Sequence, residues 1–338
     1  MDLMNRLLNN EVERNELYYG KTGEVLLLYL LFLKTEDIRL QNRAVNNLNE
    51  ISENIAFVED LGFAEGLAGI GWAIEWVAQN NLLEIDTNEV LEDVDSILYK
   101  SVIFSSDNNI SLYNGTLGKF LYFLSRYRSK NPNTIRLKNI FHEECLILLT
   151  DDLYEKTHGD YGLFHKENLT GEDLVNLGHL IYFISDFLWL KLNEPTVESL
   201  LYDSIGFINN LCERKQGLSL EESQVPYYKF LTTCYYLTGK NHRSTSWKDQ
   251  AVDFYKMFIN KGSCEDGNLN SLYNFFYLGV FNESYSPLSE IKMNQEKILL
   301  GNKNGKLILW EMMTQQHKNN NSKEILELFL MLDSDHLI

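Results

Sequence analysis

The stretch Phe63-Ala64-Glu65-Gly66-Leu67-Ala68-Gly69-Ile70-Gly71-Trp72 decides the fold, because its pattern of a glycine pair opening an apolar helical run occurs twice more. Tyr18-Tyr19-Gly20-Lys21-Thr22-Gly23 precedes one such run, and Leu112-Tyr113-Asn114-Gly115-Thr116-Leu117-Gly118 precedes another. The second glycines, Gly23, Gly69 and Gly118, stand 46 and 49 residues apart, a period that holds two helices and two connections. Each repeat therefore reads as a helical hairpin. A residue without Cβ lets the chain turn sharply and lets a neighbouring segment come close, so the glycines read first as close-contact positions and second as ligand contacts.

Outward from these loops, Leu26 to Leu33 and Phe120 to Leu124 are apolar on nearly every side, which is the composition of a buried helix. Ile38 to Ile55 and Val90 to Val102 mix charges with apolar residues at three- and four-residue spacing and read as amphipathic helices. Pro132, Pro195 and Pro287 fall between buried and amphipathic runs, where a helix's first turn tolerates proline. Weaker copies extend the series. Leu177-Gly178-His179-Leu180 aligns with Leu117-Gly118-Lys119-Phe120, which places Gly178 and His179 at the start of a fourth buried helix. Ser271-Leu272-Tyr273-Asn274 repeats the opening Ser111-Leu112-Tyr113-Asn114, and Val225 to Leu237 lies between. Lys306 to Met313 and Lys323 to Leu332 read as further helices. About six inner helices, each with an outer partner, lead to the expectation of an all-α fold, an α/α toroid, as one domain over residues 1–338.

The hydrophobic fraction of 44% and charged fraction of 23% belong to a packed globular chain. A net charge of -18 opposes binding to nucleic acid and to anionic membrane surfaces and favours neutral or basic ligands such as a basic peptide. The N-terminus shows no basic leader ahead of a long apolar run, and Val25 to Leu33 is too short to span a bilayer. The expected location is cytoplasmic, without membrane insertion. Cys145, Cys212, Cys234 and Cys264 form no CxxC pair, which argues against a zinc ribbon or a thioredoxin-type site.

Glu65-Gly66-Leu67-Ala68-Gly69-Ile70-Gly71-Trp72 resembles the repeat signature of the lanthionine synthetase C-like family, whose members close thioether rings in lantibiotic peptides. The resemblance extends to Gly20/Gly23 and Gly115/Gly118 and fades beyond about residue 170. It implies an α/α toroid with the glycine loops at one mouth, a peptide substrate or a partner modification enzyme there, and a zinc held by two cysteines and a histidine. It makes Glu65, Gly66, Tyr113 and Asn114 candidate substrate contacts. The chain departs from the family at its chemistry. It has no Cys-His-Gly; Cys264-Glu265-Asp266-Gly267 stands nearest, with Glu265 at the histidine position. A zinc set from Cys234, Cys264 and His242 is the candidate metal site, the alternative being inert thiols and no cofactor. His179 is the candidate acid–base residue, with Leu180 where the family has glycine, and Ser111 stands where the family has an aspartate.

Three functions follow as expectations. The first is peptide modification of the lanthionine type, or a degenerate relative of it. The second is a non-catalytic peptide-binding or assembly subunit on the same scaffold. The third borrows from carbohydrate-active α/α-toroid enzymes, which use paired carboxylates, here Glu65, Asp160, Asp173 or Asp266.

Overall fold

The structure, a computed structural model, describes residues 8, 12–17, 20–104, 108–131, 136–215 and 222–259. Pro132, Pro287, Cys264, Asp266, the Ser271 copy and the two C-terminal helices expected above lie outside the described residues. Contacts divide the chain into two compact units, one up to Leu149 and one from Thr150. The first holds α1 (Lys21–Thr35), α2 (Ile38–Asn54), α3 (Leu67–Gln79), the single turn α4 (Thr87–Val90), α5 (Glu92–Phe104) and α6 (Thr116–Arg128). Helix α7 (Arg136–His158) has residues in both units. The second holds α8 (Gly171–Phe187), α9 (Glu194–Lys215), α10 (Val225–Asn241) and α11 (Thr245–Ile259). Among the described residues there is no strand.

The two kinds of helix read from the sequence are both present. Residues Leu67 to Ile74 of α3 and Thr116 to Leu124 of α6 are buried without interruption, and α3 packs on α6. Helix α2 buries only Leu40, Ala44, Asn47, Leu48 and Ile51, a three- and four-residue spacing that turns one stripe toward α1. Each of its apolar members contributes on the order of 1.5–3 kcal/mol if large, less for Ala44. The α1–α2 connection is short because Glu36 takes a left-handed conformation at φ 56° and Asp37 then caps α2, accepting from the Arg39 amide at 3.0 Å.

The second unit corrects the alignment of the fourth repeat. Helix α8 starts at Gly171, not beside Gly178, because Thr170 and Asp173 form a reciprocal capping box with bonds of 3.1 and 2.9 Å. Gly178 and His179 therefore lie two turns inside the helix. Gly171, Gly178 and Ser185 recur every seventh residue on the face toward α10. They meet Tyr227, Cys234 and Asn241 in that order, so the two helices run parallel. A Cβ on Gly178 would stand 2.9 Å from the Phe230 ring and 3.2 Å from the Cys234 sulfur. The glycine is a close-contact position between helices, not part of a loop. Among the described residues no helix is long and apolar enough to cross a membrane.

Candidate functional site

Three loops of one geometry open α1, α3 and α6. The first glycine of each pair is the residue before the helix, Gly20, Gly66 and Gly115, with extended φ between -108° and -118° and no side-chain cap. The orphan amide that follows is satisfied from upstream. Lys21, Leu67 and Thr116 donate to the carbonyls of Arg14, Asp60 and Asn109 at 2.7, 2.9 and 3.1 Å, seven residues back in each case. That return path explains the glycines. A side chain on Gly66 would collide with Asp60, and one on Gly69 with the Phe63 carbonyl; the same relations hold in the other two loops. Neighbouring loops also interlock, since Leu17 lies against Gly69 and Phe63 against Gly118. Their first role is close contact.

The second and third loops bring the candidate substrate contacts together. The Tyr113 carbonyl accepts from both the Phe63 and Ala64 amides at 2.9 Å, and the Tyr113 hydroxyl donates to Glu65 Oε1 at 2.5 Å. Partial burial pushes the Tyr113 phenol well above its usual range, and the Glu65 carboxylate adds to the shift. The hydroxyl therefore stays a donor. Asn114 Oδ1 accepts from Asn109 Nδ2 at 2.6 Å and from the buried Ser111 hydroxyl at 3.0 Å. Ser111 thus braces the third loop where a carboxylate was expected from the resemblance. Glu65 and Asn114 remain exposed.

Two clefts flank these loops within the first unit. One, of about 420 Å³, is lined by Glu13, Arg14, Glu16, Phe57 and Glu65 among others. The other, of about 450 Å³, is lined by Asp60, Ser101, Phe104, Asn114 and Lys119 among others. The first has three carboxylates against one guanidinium. With the exposed ring of Phe57 at its wall, the first cleft offers apolar surface beside negative charge, whereas the second sets the exposed Phe104 ring beside one carboxylate, Asp60, and one ammonium, Lys119.

Among the described residues the metal and acid–base candidates are not brought together. Cys234 lies mid-helix in α10 and His242 is the residue that ends it, about 12 Å farther along the axis, whereas zinc donors each sit about 2 Å from the ion. His242 has other company. Its ring stacks on Trp247 at 4.8 Å, and Nε2 lies 3.1 Å from the Tyr202 hydroxyl. Burial raises the Cys234 thiol well above its usual range, so it is held as a thiol. Cys264 is outside the described residues, and among those described no group of three or more His, Cys, Asp or Glu side chains is placed to hold a metal ion. This set does not fit zinc. His179 is fully buried between Phe183 and Phe230, with ring centroids at 6.0 and 5.2 Å. Burial lowers its pKa to about 3, so it is neutral, and among the described residues neither ring nitrogen has a hydrogen-bond partner. Asp173, a carbohydrate-site candidate, is committed to the α8 cap and to Lys166 at 2.6 Å.

Sequence reasoning missed a charged centre inside the first unit. Arg126 of α6, with no exposed side-chain surface, donates to Glu75 of α3 at 2.5 Å and to Asp95 of α5 at 3.0 and 2.8 Å. Thr87 and Asn88 of α4 accept from it at 3.0 and 3.3 Å. Asp95 also accepts from the Tyr122 hydroxyl at 2.6 Å and faces His142 Nε2 at 3.3 Å. Burial alone would raise the Asp95 carboxyl, but the bonds from His142 and Arg126 bring it down to about 2. The signal was present as Glu75 and Arg126, two charges set within otherwise apolar buried runs.

No protein-family model matches this sequence, and no curated protein matches it. Among solved structures it is similar to nisin cyclase, with a TM-score of 0.63 over 97% of this chain and 96% of that one, at 14% identity. At that identity the likeness speaks for the fold, and the fold of this chain is all-α, of the α/α-toroid class.

Proposed function

We propose that this chain binds a peptide of neutral or cationic character at the glycine loops of its first unit. The observation that carries the reading is the meeting of Glu65, Tyr113 and Asn114, from two successive repeats, beside two clefts, the first edged by three carboxylates. The interlocked loops fix these groups on rigid helix ends, so little ordering is needed when a ligand arrives. The exposed Glu65 carboxylate is the acceptor for a lysine, an arginine or a backbone amide. The Asn114 side chain borders the second cleft, and Phe57 and Phe104 supply apolar contact. Calorimetry with a lysine-rich, unstructured 15-residue peptide and its glutamate-for-lysine counterpart tests the reading. The basic peptide is expected to bind, the acidic one not, and Glu65→Gln and Tyr113→Phe each to weaken binding severalfold. Equal binding of both peptides, or unchanged affinity in both variants, overturns it.

The likeness to nisin cyclase favours a second reading, cyclisation of a peptide by addition of a cysteine thiol across a dehydroalanine double bond. The S–H adds across the C=C bond and nothing leaves, so the peptide mass is unchanged while an alkylatable thiol disappears. Cys234 and His242 provide no metal site for that step. Loss of thiol from a dehydroalanine-containing peptide, abolished in Cys264→Ala, supports the second reading. Zinc well below one per chain, with thiols unconsumed, excludes it.

A further inference from the structure

The outward side of α9 in the second unit has a feature that its own fold does not require. Gly206 sits in the middle of this 22-residue helix, where glycine costs roughly 0.5–1 kcal/mol against alanine. Each glycine of the three loops escapes a collision, but a Cβ at Gly206 would meet no heavy atom of the described residues within 4 Å. Gly206 is exposed, and one turn earlier Tyr202 and Asp203 are exposed on the same side.

Aromatic rings flank the bare position. On one side Tyr202 is 45% exposed and stands 5.8 Å from Trp247, which stacks on His242; Trp189, 59% exposed, lies 6.4 Å from the same histidine. On the other side Phe207 stacks on Phe164 at 4.7 Å, and Asp203 Oδ2 reaches His158 Nε2 at 3.2 Å. Two aromatic groups thus border a stretch of helix without a side chain. At 45% and 59% exposure, Tyr202 and Trp189 leave aromatic surface open to a ligand.

Charge selects among ligands that stack on rings. From Glu194 to Asn210 the helix carries three carboxylates, Glu194, Glu198 and Asp203, and no base. The exposed bases Lys191 and Arg243 come two residues after Trp189 and one after His242, outside α9, and the Glu194–Asn210 stretch of the helix itself is acidic. Guanidinium groups combine both preferences, because they lie flat on tryptophan and tyrosine faces and pair with carboxylates. We propose that this surface docks an arginine-bearing segment of a partner protein, its backbone passing over Gly206 and its guanidinium groups resting on Tyr202 and Trp189. The site is independent of the glycine loops of the first unit.

The test uses the full chain carrying Glu65→Gln, so that the first-unit clefts are weakened, with a 12-residue arginine–serine peptide as the calorimetric probe. Peptides with citrulline or glutamate in place of arginine, and a maltose oligosaccharide, serve as comparisons. The arginine peptide is expected to bind with a 1:1 midpoint, and the others at least about tenfold more weakly, the scale of one or two lost cation–π contacts. Gly206→Gln fills the bare position on an exposed helix surface. It is expected to melt at or above the parent temperature and yet weaken binding about tenfold, a combination that loss of structure cannot produce. Trp189→Ala should weaken binding to a similar degree. Undiminished affinity in both variants, binding by the citrulline peptide equal to the arginine one, preference for the oligosaccharide, or no binding at all overturns the proposal.

Discussion

Arg126 shows what a single side chain does here. Its guanidinium holds Glu75 and Asp95 in the interior of the first unit, and these bonds join α3, α5 and α6. The cost of taking such charges out of water is recovered only while every partner is present. Arg126→Met, similar in volume, leaves two carboxylates buried with the guanidinium gone. We expect a loss of about 3–5 kcal/mol, read as a lowered urea midpoint. Glu75→Gln keeps one hydrogen-bond acceptor and removes one charge, so a smaller loss is expected. An unchanged midpoint in Arg126→Met would show that the network is not what unites these helices. The sequence made Glu75 and Arg126 visible as charges in apolar runs, but they lie 51 residues apart and no spacing rule pairs them. Glu65 and Tyr113 were easier, because both belong to a repeating loop whose copies had to sit side by side. Cys234 and His242 were joined only by residue type, and a helix keeps them about two turns apart.

At the scale of elements the glycines divide into two kinds with opposite expected effects. Gly118→Ala must move Phe63, whose Cβ would be 2.7 Å from the new methyl, and the Leu112 carbonyl as well. A loss of about 1–3 kcal/mol is expected, whereas Gly206→Ala should gain about 0.5–1 kcal/mol. Thermal melts of the two variants should therefore move in opposite directions, and parallel shifts would refute the distinction. Helix α1 carries a second testable feature in Glu24, which follows Gly23. Burial raises its pKa to about 7 against an unfolded value near 4.5, although Arg43 at 4.0 Å, Asn47 and Lys21 all act to lower it. The folded state therefore binds the proton more tightly. The Glu24 contribution to stability is full below about pH 4.5 and is lost as pH rises to about 7. Urea midpoints of the wild type minus those of Glu24→Gln should decline across that window, and a flat difference rules Glu24 out. Periodicity made the existence of α1, α2, α3 and α6 readable, since buried and amphipathic runs alternate there. It misplaced the start of α8 because Gly178 imitates a loop glycine, while the true start, Thr170-Gly171-Glu172-Asp173, uses a side-chain cap.

For the whole molecule, an all-α fold shared with nisin cyclase at 14% identity means that pattern rather than residue identity carries the architecture. Close contact at the loops needs glycine, and buried helices need only apolar volume, so most other positions are free to change. The loop contacts were legible because they belong to that repeating pattern, whereas a ligand set drawn from separate elements has no such pattern. What the chain as a whole adds is charge. The net charge is -18, and the carboxylates of Glu13, Glu16 and Glu65 stand at the first of the glycine-loop clefts. Raising salt from about 0.1 to 1 M shortens the screening length from about 10 to about 3 Å, so attraction beyond direct contact is largely removed. Affinity for the lysine-rich peptide should then fall about tenfold or more, mainly through slower association, because long-range attraction acts before contact. A serine-for-lysine peptide should show little change over the same range, since its contacts with Phe57 and Phe104 are short-ranged and apolar. A lysine-peptide affinity that stays level in salt would remove charge as the selecting force and leave shape and apolar contact at the loops as the basis of binding.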